Sequence, residues 1–469
     1  MRQDIMSCKK LKALGLVVSV LAIAACAEPE TPVVDAVAAP AKTYLFSDED
    51  RSFFKTASIY EVNVRQFSPA GTLSAVQQQL PRLKTMGVDV LWLMPIFPVG
   101  EERRKGELGS AYSVKHYRQV NPRFGDVNDV KALVDEAHKL GMVVILDWVA
   151  NHTSFDHPWT KSHPEWYTQN AAGEIIDPID GKTGKSWGWT DVADLNYDNK
   201  ALWQAMADDM KFWLELGVDG FRCDVAAEVP VEFWQYTRKQ LDAIRPVFML
   251  AEAEVPELQS AFDMSYAWNY HHLSNDIAKG EKPAKATLDN YMAERLQRFD
   301  ADHMLMQYTT NHDENSWAGT VYERYGKAHK AFAVLAFTLD GMPLVYSGQE
   351  AGLNKRLEFF KKDAIDWRDL GLAKFYQQLL SLKQDQPALW SGSSKFHPLD
   401  YQANNDKSYA FKRSAENSEL VIAINISDQT MAFTMPEDLG TYDNVLGNAV
   451  VQGRGLTLAA HGYVILAKP

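Results

Sequence analysis

Asp219-Gly220-Phe221-Arg222-Cys223-Asp224 decides how the rest of the chain is read. It follows a segment of helical spacing that closes on Gly217. As a strand over 218–224 it sets Arg222 and Asp224 on one face, because side chains alternate along a strand. A guanidinium beside a carboxylate keeps that carboxylate ionised and aims it. A nucleophile would be equipped this way, and so would a structural ion pair at a strand end. Cys223 faces the other side and reads as a packed hydrophobe.

Working outward, the same pattern of helix, glycine and apolar strand recurs. Residues 58–64 read as a strand, 73–86 as a helix closed by Gly87, and 88–94 as an apolar run. A helix over 127–140 ends at Gly141 before the run 142–149, and a helix over 199–216 precedes 218–224. Short runs at 247–251 and 304–309, a weak one near 262–266, and a helix over 327–339 leading to 343–346 complete the series. Strands without a polar face, alternating with helices, predict a parallel α/β sheet. About eight such units in roughly 310 residues fit a (β/α)8 TIM barrel better than an open sheet. The barrel is placed at 44–384, with an inserted lobe at 152–196 after the third strand, dense in Trp, His, Gly and Pro. From 385 to 469 short β-like segments predict a separate all-β sandwich domain.

The 469 residues carry a formal net charge of −13, which argues against nucleic acid and anionic membrane surfaces as partners. Arg2, Lys9, Lys10 and Lys12 ahead of an apolar stretch make residues 1–25 an export signal. Ile23-Ala24-Ala25-Cys26 resembles a bacterial lipobox, which implies lipidation of Cys26 and a lipoprotein facing the periplasm or cell surface. Its only membrane contact would be the lipid, with residues 26–43, rich in Ala, Pro and Val, as a disordered tether. Of the three cysteines only Cys223 then remains, so no internal disulfide framework is expected.

Polar side chains at the C-terminal ends of barrel strands converge on one site. Those ends carry Asp147, Asn151 and His152, then Arg222 and Asp224, then Glu252, and last Asn311-His312-Asp313. Several carboxylates with one arginine and two histidines, and no serine or cysteine nucleophile with a partner base, form an acid/base set for glycosyl transfer. Any one of these residues could be structural. The full series at successive strand ends points to catalysis. Glu254 shares a strand face with Glu252 and is the rival acid, but the apolar run ends immediately before Glu252.

The chain resembles the α-amylase family of glycoside hydrolases over about residues 56–469. Asp147-Trp148-Val149-Ala150-Asn151-His152 matches D-x-x-x-N-H, and Gly220-Phe221-Arg222-Cys223-Asp224 matches G-F-R-x-D. Leu250-Ala251-Glu252-Ala253 looks like the stretch around the family's acid, and Asn311-His312-Asp313 matches N-H-D. Asp194-Leu195-Asn196 resembles a motif late in the inserted lobe. The resemblance implies Asp224 as nucleophile, Glu252 as general acid and base, and Asp313 as transition-state stabiliser. It implies Arg222 and Asp147 as orienting groups, His152 and His312 as sugar ligands, and Tyr112 as a stacking ring. Asn151 and Asp194 match two calcium ligands, which by themselves complete no site.

The resemblance has departures. Many α-amylases carry a Lys-His pair after the nucleophile, where this chain has Ala227 and Glu228. Val225 and Asn196 lean towards the oligo-1,6-glucosidase and neopullulanase side of the family. The expectation is a retaining hydrolase of α-1,4-linked glucans or maltooligosaccharides. Its alternatives are α-1,6 or cyclomaltodextrin specificity, an α-glucan transglycosylase and, furthest off, a non-catalytic glucan-binding relative. A barrel metallohydrolase would need a His/Asp cluster that the strand ends do not supply.

Overall fold

A computed structural model describes residues 51–180 and 183–469, so the signal, the tether and Cys26 lie outside the described residues. Eight parallel strands form a closed barrel. They are β1 (Ile59–Val62), β2 (Val90–Leu93), β3 (Val143–Val149), β4 (Gly220–Asp224), β5 (Phe248–Ala251), β6 (Met264–Tyr266), β7 (Met304–Gln307) and β8 (Met342–Tyr346). Pairing of Ile59 with Leu344 closes the ring.

Period-two alternation sorts each strand between two apolar layers. Val90, Trp92, Val143, Ile145, Phe248, Leu250, Met264 and Tyr266 fill the barrel interior. Leu91, Leu93, Val144, Leu146, Trp148, Phe221 and Cys223 pack outward beneath the helices. Asp147 follows Val143 and Ile145 on the inner face, and the same alternation turns Arg222 and Asp224 inward. Register pairs Asp147 with Arg222 and Val149 with Asp224, so the motif residues of β3 and β4 are side by side. Gly220 is required at the base of β4, because a Cβ there would meet the Phe248 carbonyl oxygen at 2.1 Å.

Several elements depart from the sequence expectation. The helix expected over 73–86 is two helices, Leu73–Gln77 and Leu80–Met86, with Pro81 in the first turn of the second. Proline has no N–H to continue the first helix but suits the start of another. The first strand stops at Val62, and Val64–Phe67 forms a helical turn. The strand expected to 309 ends at Gln307. Between β5 and β6 the crossover is only a 3-10 turn, Pro256–Ser260.

Beyond the helix Ala373–Asp385, a five-stranded and a four-stranded sheet follow. Ala410, Val421, Ala423, Val464 and Leu466 from the first share a core with Met431, Phe433, Leu456 and Leu458 from the second. Buried Arg413 ties this domain to the barrel by reaching Asp340 at 3.3 Å, and Arg295 reaches the same aspartate at 2.7 Å.

Candidate active site

The C-terminal ends of the barrel strands open into a cavity of about 630 Å³. Asp224, Glu252, Asp313, Tyr112, His152 and His312 all line it, and Asp147 and Arg222 lie buried directly beneath. Arg222 is the hub. Its Nη1 donates to Asp147 at 2.8 Å and to Asp224 at 2.9 Å, its Nη2 lies 2.9 Å from Glu252, and its Nε donates to the Tyr266 hydroxyl at 3.2 Å. Glu252 Oε2 also accepts from the Val225 backbone N–H at 2.8 Å. One fully buried cation therefore serves three carboxylates.

A second chain of contacts fixes the sugar-facing groups. The Tyr112 hydroxyl donates to Asp147 at 3.0 Å and sits 2.7 Å from His312 Nε2, with the two rings stacked 5.4 Å apart. His312 Nδ1 lies 2.6 Å from Glu61, and Nε2 lies 3.2 Å from Asp313. Trp92 Nε1 donates to Asp147 at 3.2 Å.

Crowding of acids sets the electrostatics. Burial raises Asp224 well above the usual carboxylate range, and Glu252 and Asp147 add to the rise against Arg222. Burial also raises Glu252, with Arg222 opposing and Asp313 adding. A charged Glu252 raises Asp224 further, so ionisation of one acid opposes ionisation of the other. Burial raises Asp147 as well, again opposed by Arg222. Burial alone would lower His312, but Asp313 and Glu61 outweigh it and hold the imidazole at about 9. His152, buried without an acid partner, falls to about 4 and is neutral. The site thus offers one cationic and one neutral imidazole to hydroxyl groups.

Glu254 lies elsewhere. It accepts from the Asn269 backbone N–H at 2.6 Å and pairs with Arg298 at 3.2 Å, outside the cavity lining. Of the lobe tryptophans, Trp189 lines the cavity with its ring 5.7 Å from His152, and Trp187 packs edge-on behind it at 4.7 Å. Asp194 pairs with His152 in the short ladder joining β3's end to the lobe, and the adjoining Leu195 N–H donates to the Asn151 carbonyl at 3.1 Å. Burial raises Asp194 to about 6, opposed by a Thr168 hydrogen bond and supported by Asp177 and Glu228. No cation shifts it. A buried oxygen donor in an acidic setting suits a hard cation, although among the described residues no group of three or more His, Cys, Asp or Glu could hold a metal.

Sequence reasoning missed Glu61, Trp92, Tyr266, Lys105, Trp317, Phe359 and Phe360. A charged residue inside an otherwise apolar strand was the available signal for Glu61. The remainder belong to apolar strands or to loops without motif character.

A sequence model described as the alpha amylase catalytic domain matches residues 43–397. The chain is 27% identical over 409 residues to an alpha-amylase from Haloarcula japonica, covering 83% of this chain but 58% of that protein's length. It is 22% identical to an oligo-1,6-glucosidase from Heyndrickxia coagulans over 84% of this chain and 96% of that one. The crystal structure of an alpha-amylase from Lactobacillus plantarum superposes with a TM-score of 0.78 at 31% identity, covering 89% of this chain and all of that one.

Proposed function

The chain belongs to the alpha-amylase family, and from that premise we propose that it is a retaining hydrolase of α-1,4-linked glucans. The observation that carries this reading is the sharing of Arg222 between Asp224 and Glu252 at the wall of an aromatic-lined cavity. Asp224, steadied by Arg222, attacks the anomeric carbon while Glu252 gives its proton to the departing oxygen. Glu252 then takes a proton from the water that releases the sugar from Asp224. Asp313 faces the positive charge that develops on the sugar, cationic His312 and neutral His152 hold its hydroxyls, and the Tyr112 ring stacks on its face.

Two variants test it. Asp224→Asn should lose at least a thousandfold in kcat on maltotriose and on α-glucosyl fluoride alike. Glu252→Gln should lose as much on maltotriose but far less on the fluoride, whose leaving group needs no proton. More than about a tenth of the wild-type rate in Asp224→Asn would remove it as nucleophile.

A second reading, α-1,6 or transglycosylating action, is favoured by the residues after the nucleophile. Val225 lines the cavity, and Ala227 and Glu228 are exposed where many relatives carry Lys-His. A product profile on pullulan, isomaltose, a cyclodextrin and maltotriose separates the two. Asn151 and Asp194 would lend side-chain oxygens to a structural calcium that stiffens the junction of lobe and barrel, away from the bond-breaking groups. Export as a lipoprotein rests on the basic head, apolar stretch and Cys26 of the sequence. Lipid label incorporated by the wild type and also by Cys26→Ser would rule out that anchor.

A further inference from the structure

Three buried cations gather around one carboxylate where the barrel meets the C-terminal domain. Arg295 comes from the helix Ala284–Arg298, Lys383 from the helix Ala373–Asp385, and Arg413 from the strand Ser408–Ala415. Arg295 is 3% exposed, and Lys383 and Arg413 not at all. Asp340 lies just ahead of β8 and is the one acid that pairs with either arginine among the described residues. Its Oδ2 is 2.7 Å from Arg295 Nη2, and its Oδ1 is 3.3 Å from Arg413 Nη2. The cluster sits at the N-terminal ends of β7 and β8, at the opposite end of the barrel from the catalytic acids.

Its hydrogen bonds and its charges both fall short of balance. Lys383 spends its N–H groups on neutral acceptors, the Gly341 carbonyl at 2.9 Å, the Leu389 carbonyl at 2.5 Å and Ser391 Oγ at 3.2 Å. Burial and Arg413 draw its pKa down to about 7, with Asp340 opposing. Arg295 Nη2 also donates to the His303 carbonyl at 2.8 Å. Arg413 Nη1 donates to the Thr338 carbonyl at 3.3 Å, and its Nη2 to the Ser394 hydroxyl. Nε and Nη1 of Arg295 and Nε of Arg413 remain, buried donors that meet no acceptor among the described residues. Buried donors of this kind call for a bound water or ion. A water would accept from the N–H groups and leave the excess positive charge. An anion answers both.

We propose that Arg295 and Arg413 hold a small monovalent inorganic anion of the size of chloride at this junction. The anion balances the two guanidinium groups that share Asp340 and fastens the C-terminal domain to the barrel. The folded protein binds it and the unfolded chain does not, so it adds to stability by mass action.

The test follows the thermal midpoint of the intact protein at fixed pH and ionic strength while sodium chloride replaces sodium gluconate. Chloride should raise the midpoint by about 3 °C, on a curve that saturates below about 50 mM. General salt effects do not saturate in that range. Arg295→Met, which removes two of the unmet donors, should lose the response. Wild-type crystals soaked in sodium bromide should show an anomalous peak within about 3.5 Å of both guanidinium groups. A midpoint indifferent to chloride, an equal response in Arg295→Met, or no bromide signal between the two arginines would each overturn the site. If Arg295→Met fails to fold, the bromide crystal and the wild-type titration decide.

Discussion

Glu61 Oε1 and His312 Nδ1 lie 2.6 Å apart, both buried, although they stand 251 positions apart in the chain. The contact joins β1 to the loop after β7 and keeps a charged imidazole against the sugar-facing wall.

A pH dependence follows from that pair. The His312 pKa is raised to about 9 in the folded protein, against about 6.5 when unfolded. Its stabilising contribution is therefore fully present below 6.5 and is lost as pH rises through 9. Glu61→Gln removes one of the two acids that hold the proton. The variant should lose roughly twofold in kcat/KM near pH 8 and roughly tenfold near pH 10, with its alkaline limb about one unit below that of the wild type. Thermal midpoints at pH 7 and pH 10 provide the check, since the gap between variant and wild type should narrow at the higher pH. Superimposable profiles would show that Glu61 does not govern His312.

Arg222 is the next point of leverage. It serves Asp147 and Asp224 through Nη1 and Glu252 through Nη2, and a lysine has one nitrogen. Arg222→Lys should lower kcat at least a hundredfold while leaving KM within a few fold, because Asp224 loses its aim and the Tyr112 and His152 contacts remain. Breaking a buried ion pair costs about 3–5 kcal/mol, so the midpoint of denaturation should fall as well. Kinetics and thermal melts on the same preparation separate the two effects.

What the sequence disclosed, and what it hid, follows from where each signal resides. Asp147, Arg222 and Asp224 were legible because strand alternation fixes their face and parallel register sets β3 beside β4. The division of 73–86 at Pro81 was legible in principle, since proline interrupts a helix unless it begins one. The bare crossover at Pro256–Ser260 was not, because the barrel pattern predicts a helix there. Glu61 reads as one residue in an apolar strand until closure of the barrel brings β7's loop alongside β1. Trp317 and Phe359 become neighbours only through loop-to-loop hydrogen bonds, for which neither segment carries a periodic signal.

Asp194 predicts a response to metal removal. Its carboxylate is raised to about 6 by burial and has only a Thr168 hydrogen bond to oppose the rise. A bound calcium would reverse that penalty and add to the folded state by mass action. Chelation should therefore lower the thermal midpoint of the wild type, and added calcium should restore it. Asp194→Asn should be indifferent to both treatments. A wild-type midpoint that ignores chelator and calcium alike would remove the ion from this junction.

Val225 holds φ +46° and ψ +43°, a left-handed conformation that a β-branched residue rarely adopts. Such strain costs about 1–3 kcal/mol and persists where the surroundings impose it. Here the imposed geometry aims the Val225 N–H at Glu252 Oε2, 2.8 Å away, immediately after the nucleophile. Asparagine tolerates this conformation and keeps the N–H, so Val225→Asn should stabilise the fold by about 1 kcal/mol with the acid still in place. Proline has no N–H and fixes φ near −65°, so Val225→Pro should abolish activity and destabilise the protein. Denaturation midpoints and kcat for the two variants supply the measurement. A Val225→Asn protein less stable than the wild type would mean that the left-handed turn stores no strain.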